Sequence, residues 1–162
     1  MQMGYGTGTG SGPDDTSGPP NIPRALLWYE KAVAQNQPDA MNALAEMYES
    51  GWGVDVDMQK AIELYQRAES FGEKDCLAAL GRIFKEQKTE DGYTKALAYL
   101  LKAVEHNEED TEAFFHIAEL YENGWGVAAD KNKAIEYYKK AAEFDDVEDA
   151  TEALKRLGVS DE

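Results

Sequence analysis

At 162 residues, with 43% hydrophobic content, the chain is the size of one domain that can bury a substantial core, and it carries a formal net charge of −16. That acidity excludes nucleic acid and anionic membrane as partners, because phosphates would be repelled, and no run of about 18 apolar residues is present to insert into a bilayer. A single cysteine, Cys76, excludes an intramolecular disulfide framework.

Residues 1–20 are rich in Gly, Ser, Thr and Pro and nearly empty of aliphatic residues, so burial cannot offset their ordering entropy. They are expected to form a flexible tail or linker. No basic stretch followed by an apolar one marks a signal peptide, which leaves a cytoplasmic location as the default.

Residues 21–162 form the expected folded domain, and they repeat. Ala25-Leu-Leu-Trp-Tyr-Glu-Lys-Ala32 returns as Ala61–Ala68, Ala96–Ala103 and Ala134–Ala141, at spacings of 36, 35 and 38 residues. Each copy follows a base (Arg24, Lys60, Lys95, Lys133) and reads Ala-aliphatic-x-x-aromatic/Leu-x-base-Ala. The spacing predicts one face of a helix, called helix B. Between the copies lies helix A, as Ala40–Tyr48, Cys76–Phe84 and Ala113–Tyr121.

In chain order the units are a half unit (21–38), three full units (39–74, 75–110 and 111–145) and a capping helix (146–160). Two registers stay open for the cap, Ala150-x-x-x-Leu154 and Ala153-x-x-x-Leu157-Gly158. The first unit enters at helix B without a helix A, so Leu27 and Trp28 are expected to lack cover.

Small residues at Ala45, Gly81 and Ala118 let paired helices approach, and Tyr48, Phe84 and Tyr121 fill the space between them. Gly51-Trp-Gly-Val54 recurs as Gly124-Trp-Gly-Val127, with glycines supplying left-handed backbone after helix A while Trp and Val lie over the helix pair. In the third unit, charged residues from Lys85 to Gly92 replace this loop. Asp57 and Asp130 stand where N-caps belong, as do Asn21 before the first helix B and Asp39 and Asp75 before helix A.

The pattern Ala…Leu-Gly…Tyr…Gly-x-Gly-Val…Asp…Lys-Ala…Tyr-x-Lys-Ala-Ala, nearly complete in units 39–74 and 111–145, resembles the Sel1-like repeat, a longer-looped relative of the tetratricopeptide repeat. The resemblance implies an all-α fold, a right-handed α-solenoid of antiparallel helix pairs with about three full and two half repeats. It also implies that helix A lines the concave face. Carried onto this sequence, the outward positions are Asn42, Glu46 and Glu49, then Ala78, Arg82 and Lys85, then Phe115, Glu119 and Glu122.

Catalytic chemistry finds little support. His116 takes the place of Ala43 and Ala79, which reads as a packed or half-buried position, and His106 sits solvated among Glu105, Glu108 and Glu109. Cys76 occupies the site of Ala40 and Ala113, a small core residue rather than a nucleophile. The acidic run at 145–149 lacks the ligand periodicity of a calcium loop. No cofactor, metal or enzymatic activity is expected.

The expected function is a protein-interaction scaffold or adaptor that holds a peptide or partner domain on the concave face. The alternative is a regulatory or docking domain of a larger protein, such as an enzyme or ubiquitin-ligase adaptor. Self-association through the uncapped first helix is a further expectation. Phe115 is either an aromatic anchor for the partner or a residue packed on a neighbouring helix. Arg82 and Lys85 are expected to meet Glu46 and Glu119 across repeats.

Overall fold

The computed structural model describes residues 22–144 and 148–159. The expected tail, the Asn21 cap, and Asp145 and Asp146 of the acidic run lie outside them. The described residues form eight helices and no strand: α1 (Ile22–Ala34), α2 (Pro38–Ser50), α3 (Met58–Ser70), α4 (Cys76–Glu86), α5 (Glu90–His106), α6 (Thr111–Asn123), α7 (Lys131–Phe144) and α8 (Glu148–Arg156). Odd-numbered helices are the B type and even-numbered ones the A type. None is long and apolar enough to cross a membrane.

Each helix A packs most extensively on the helix B that follows it, and less on the one before, while α4 also touches α6 directly. This order of contacts stacks antiparallel pairs into one continuous core, the arrangement of an α-solenoid. Ala45 and Ala118 are wholly buried, as are Ala61, Ala96 and Ala134 at the heads of the B-helix motifs. Because small residues stand at these contacts, the helices approach closely enough to bury Tyr65, Leu100 and Tyr138 between them.

Helix ends follow local chemistry. Gly51 and Gly124 end α2 and α6 in the left-handed region, at φ 74° and 67°, and their N–H groups return to the Met47 and Leu120 carbonyls. Gly124→Ala is expected to lower stability by about 1 kcal/mol in urea denaturation without loss of helix, because a Cβ disfavours that conformation. Asp57 accepts from the Lys60 N–H at 3.1 Å and Asp130 from the Lys133 N–H at 3.0 Å, the expected caps.

Asp39 and Asp75 do not act as side-chain caps. Pro38 starts α2 upstream, so Asp39 falls inside the first turn and Gln37 takes the cap position. Asp75 is itself helical in backbone, and its N–H donates to Glu73 Oε1 at 2.9 Å. In the third unit, Thr89 caps α5 by accepting from the Gly92 N–H at 2.9 Å. Its helix B therefore starts a turn early and reaches 17 residues, in place of the glycine loop.

Trp125 lies over the array as expected, stacked on Tyr93 of that extra turn at 5.1 Å. Trp52, its counterpart, is 43% exposed, and Leu27 and Trp28 are 51% and 55% exposed. Trp125 differs in having the ring of Tyr93 to lie on.

Candidate functional site: the face of the A helices

The aromatic residue of each helix A is held from outside by the base that precedes the next helix B. Lys60 lies over Tyr48 at 5.1 Å, Lys95 over Phe84 at 5.4 Å and Lys133 over Tyr121 at 5.1 Å. The recurring base is thus a cation–π lid whose ammonium remains in water.

A second set of contacts joins one helix A to the next. Counting from the first small residue of the motif (Ala40, Cys76, Ala113), the residue nine positions on meets the residue six positions on in the following helix. Glu49 receives Arg82, Lys85 donates to Glu119, and Glu122 receives Arg156, the last also at 3.2 Å through its second nitrogen. The buried Tyr65 and Tyr138 hydroxyls donate to Glu49 and Glu122 at 2.9 and 2.7 Å. Burial, together with hydrogen bonding to a carboxylate, pushes both phenols well above their usual range.

The Arg156 contact settles the register of the final helix. Arg156 is to Ala150 what Arg82 is to Cys76, and Ala150 is wholly buried, so α8 follows Ala150-x-x-x-Leu154.

The middle junction has reversed polarity, and three departures of the third unit explain one another. Leu100 replaces the tyrosine, so no hydroxyl is available for an acid, and a lysine stands where Glu49 and Glu122 stand. The branched Leu100 also needs room: a Cβ on Gly81 would sit 2.5 Å from its Cγ. His116 joins this junction, half-buried, with Nδ1 2.9 Å from Lys85 Nζ.

Burial disfavours ionised Glu119, but the adjacent His116 ring and the Lys85 ammonium together outweigh it and hold the carboxyl below its usual range. The Arg156 hydrogen bond, helped by Tyr138 and opposed by burial, does the same for Glu122. A depressed carboxylate pKa contributes stability that is complete above the ordinary value of 4.5 and disappears as pH falls through the depressed value. Stability should therefore drop on acidification below about pH 4.5, and Glu122→Gln should flatten that drop in urea titrations across pH.

The nine residues expected on this face fall into four groups. Glu49, Arg82, Lys85, Glu119 and Glu122 are committed to the ladder. Arg82 reaches Glu49 rather than Glu46, because a residue of the following unit pairs nearer the C-terminal end of the preceding helix A. Ala78 is half-buried against the core. Asn42 donates to Glu46 at 3.2 Å, which leaves its own Oδ1 buried without a hydrogen bond. Phe115 is half-buried with its ring edge on Tyr138 at 5.6 Å, and it also forms the floor of an open groove of about 480 Å³.

Tyr138, Ala153, Glu119, Asp149, Glu152 and the Glu122-bound Arg156 line it as well. Asp149 and Glu152 are exposed and belong to no ion pair among the described residues. The sequence alone did not single out α8 as a wall, since its register was open. The signal was the alternation at the sixth positions: Glu46, Arg82, Glu119, Arg156.

Among the described residues no three His, Cys, Asp or Glu side chains are placed to hold a metal ion. Cys76 is wholly buried, and burial foremost, with Glu69 nearby, pushes its thiol up to about 11. A thiol reagent at pH 8 is expected to leave it unmodified until denaturant is added.

The fold and this laddered face define the class: a tetratricopeptide-like helical repeat protein. More narrowly, the chain belongs to the Sel1 repeat family, whose profile matches residues 1–37, 38–70, 75–108 and 112–143. It is 30% identical over 144 residues to the Sel1-repeat-containing protein YjcO of Escherichia coli K12, a match that covers 87% of this chain and 58% of that relative's length.

Among solved structures it is similar to a Sel1 repeat protein from Oxalobacter formigenes (29% identity, TM-score 0.69, 83% of this chain and 57% of that one). It is also similar to c5321, a protective antigen of uropathogenic Escherichia coli with the same repeat fold (28% identity, TM-score 0.77, 90% and 32%). Proteins of this family are typically interaction scaffolds and are generally non-enzymatic.

Proposed function

We propose that the chain is a non-catalytic scaffold that binds a peptide or partner segment along its A-helix face, centred on the groove between α6 and α8. The observation that carries this reading is the pairing of an aromatic floor, Phe115 on Tyr138, with the exposed acids Asp149 and Glu152. An apolar floor gives affinity and an acidic wall gives orientation, so the fitting ligand has an apolar anchor flanked by Lys or Arg. The chain's net charge of −16 adds long-range attraction for such a ligand.

Phe115 is suited to a test because it is half-buried rather than central to the core. Arg82→Glu is not, because it would set three acids, Glu49, Glu86 and the new one, side by side. Twelve-residue peptides selected against the wild-type chain should be enriched in a base next to an apolar residue. Phe115→Ala should weaken them about tenfold or more, with the helical circular dichroism signal unchanged. Selected peptides that bind both chains equally would remove the groove from the reading.

A further inference from the structure

The base inside the helix B motif reaches back to the helix B before it, until the last unit. Arg67 of α3 reaches the end of α1, donating to the Val33 carbonyl at 3.2 Å and to Asn36 Oδ1 at 2.7 Å. Lys102 of α5 reaches Glu69 of α3 at 3.3 Å. Lys140 of α7 breaks the series, because Val104 stands in α5 where Glu69 stands in α3. Lys140 lies instead over the Phe114 and Tyr137 rings, 5.5 and 5.6 Å from their centres. It forms no ion pair among the described residues.

The cleft between α5 and α7 changes character accordingly. Its counterpart between α3 and α5 is lined mainly by polar side chains, with Lys102 neutralised by Glu69. In the later cleft, of about 410 Å³, Val104 replaces Glu69, Phe114 replaces Leu77 and Phe144 replaces His106. Phe144 is 47% exposed, a large apolar side chain left in water. The exposed carboxylates of Glu105, Glu108 and Glu143 border this apolar surface and belong to no ion pair among the described residues. Both α5 and α7 end beside the cleft, and their carbonyl ends add negative potential.

We propose that this cleft is a second docking site, which takes a segment of a partner protein with one apolar side chain between two Lys or Arg residues. The apolar side chain covers Val104 and Phe144. The bases meet Glu105 and Glu108 on one wall and Glu143 on the other. Charge decides the occupant. Residues 1–21, 145–147 and 160–162, which lie outside the described residues, contain no lysine or arginine, so they do not supply these bases. A second copy carries the same net charge of −16, which opposes its approach. The site is independent of the Phe115 groove, because neighbouring phenylalanines of α6 serve different surfaces: Phe114 the cleft between α5 and α7, Phe115 the groove between α6 and α8.

The probe is the capped peptide acetyl-Lys-Leu-Lys-amide, titrated into the isotope-labelled full chain and followed by NMR. The side-chain signals of Val104 and Phe144 should shift and saturate at millimolar peptide, whereas acetyl-Glu-Leu-Glu-amide should move neither. Glu108→Lys and Phe144→Ala, both at exposed side chains, should each weaken binding about fivefold or more with the circular dichroism signal unchanged. The Val104 and Phe144 signals should still respond in Phe115→Ala, which separates this site from the groove. Absence of shifts at Val104 and Phe144, an equal response to the acidic peptide, or unchanged affinity in both variants would overturn the proposal. So would movement of these signals on dilution of the chain alone, which would mark a second copy as the occupant.

Discussion

Lys85→Glu is expected to lower folding stability by about 3 kcal/mol, the largest effect of any single charge change on the A-helix face. The side chains of Lys85 and Glu119 are only 15% and 28% exposed, so water screens the junction poorly. The substitution removes a donor shared by Glu119 and His116 and sets two acids against each other. Adding Glu119→Lys should recover at least half of the loss, because the order of charges is then that of the Glu49–Arg82 and Glu122–Arg156 junctions. Recovery stays incomplete, since Leu100 has no hydroxyl to give the new acid. Urea denaturation of the four members of the cycle measures the coupling, and strictly additive losses would show that the ladder does not hold the units together.

Gly81→Ala is the second large effect, expected at about 2 kcal/mol from overpacking. The added methyl would lie 2.5 Å from Leu100 Cγ and 2.6 Å from its Cδ2, inside a contact where Leu100 is wholly buried. Sister units hold alanine at this place beside a tyrosine, so Gly81→Ala together with Leu100→Tyr should regain most of the stability of the parent. The new hydroxyl would lie beside Lys85 and accept from its ammonium. A double variant as unstable as the sum of the singles would separate Gly81 from Leu100.

The helices and their pairing were legible because burial imposes a periodic pattern: the same small and aromatic residues recur at the same offsets in each unit. The caps at Asp57 and Asp130 were legible for the same reason. Asp39 was misread because Pro38 starts its helix early, and Asp75 because the Glu73 side chain receives its N–H. The third-unit loop departs from the glycine pattern because Thr89 caps a longer helix.

The face of the A helices was legible as a set of positions but not as chemistry. Sequence spacing placed Arg82 and Lys85 on it, yet which acid each base meets depends on the stagger between successive helices. Five of the nine outward residues prove to be tied into ion pairs between successive A helices, and the groove that remains is bordered by α8, whose register the Arg156–Glu122 contact and the buried Ala150 fix. Phe115 packs its ring edge on Tyr138 of the neighbouring helix, the second of its two expected roles, and it also lines the groove.

The most direct test of the central claim is an NMR titration of the isotope-labelled chain with a selected base-and-apolar peptide. Amide shifts are expected to concentrate in α6 and α8, around Phe115, Glu119, Asp149 and Glu152, and to vanish in Phe115→Ala. Shifts confined to the outer surfaces of α3, α5 and α7 would contradict it.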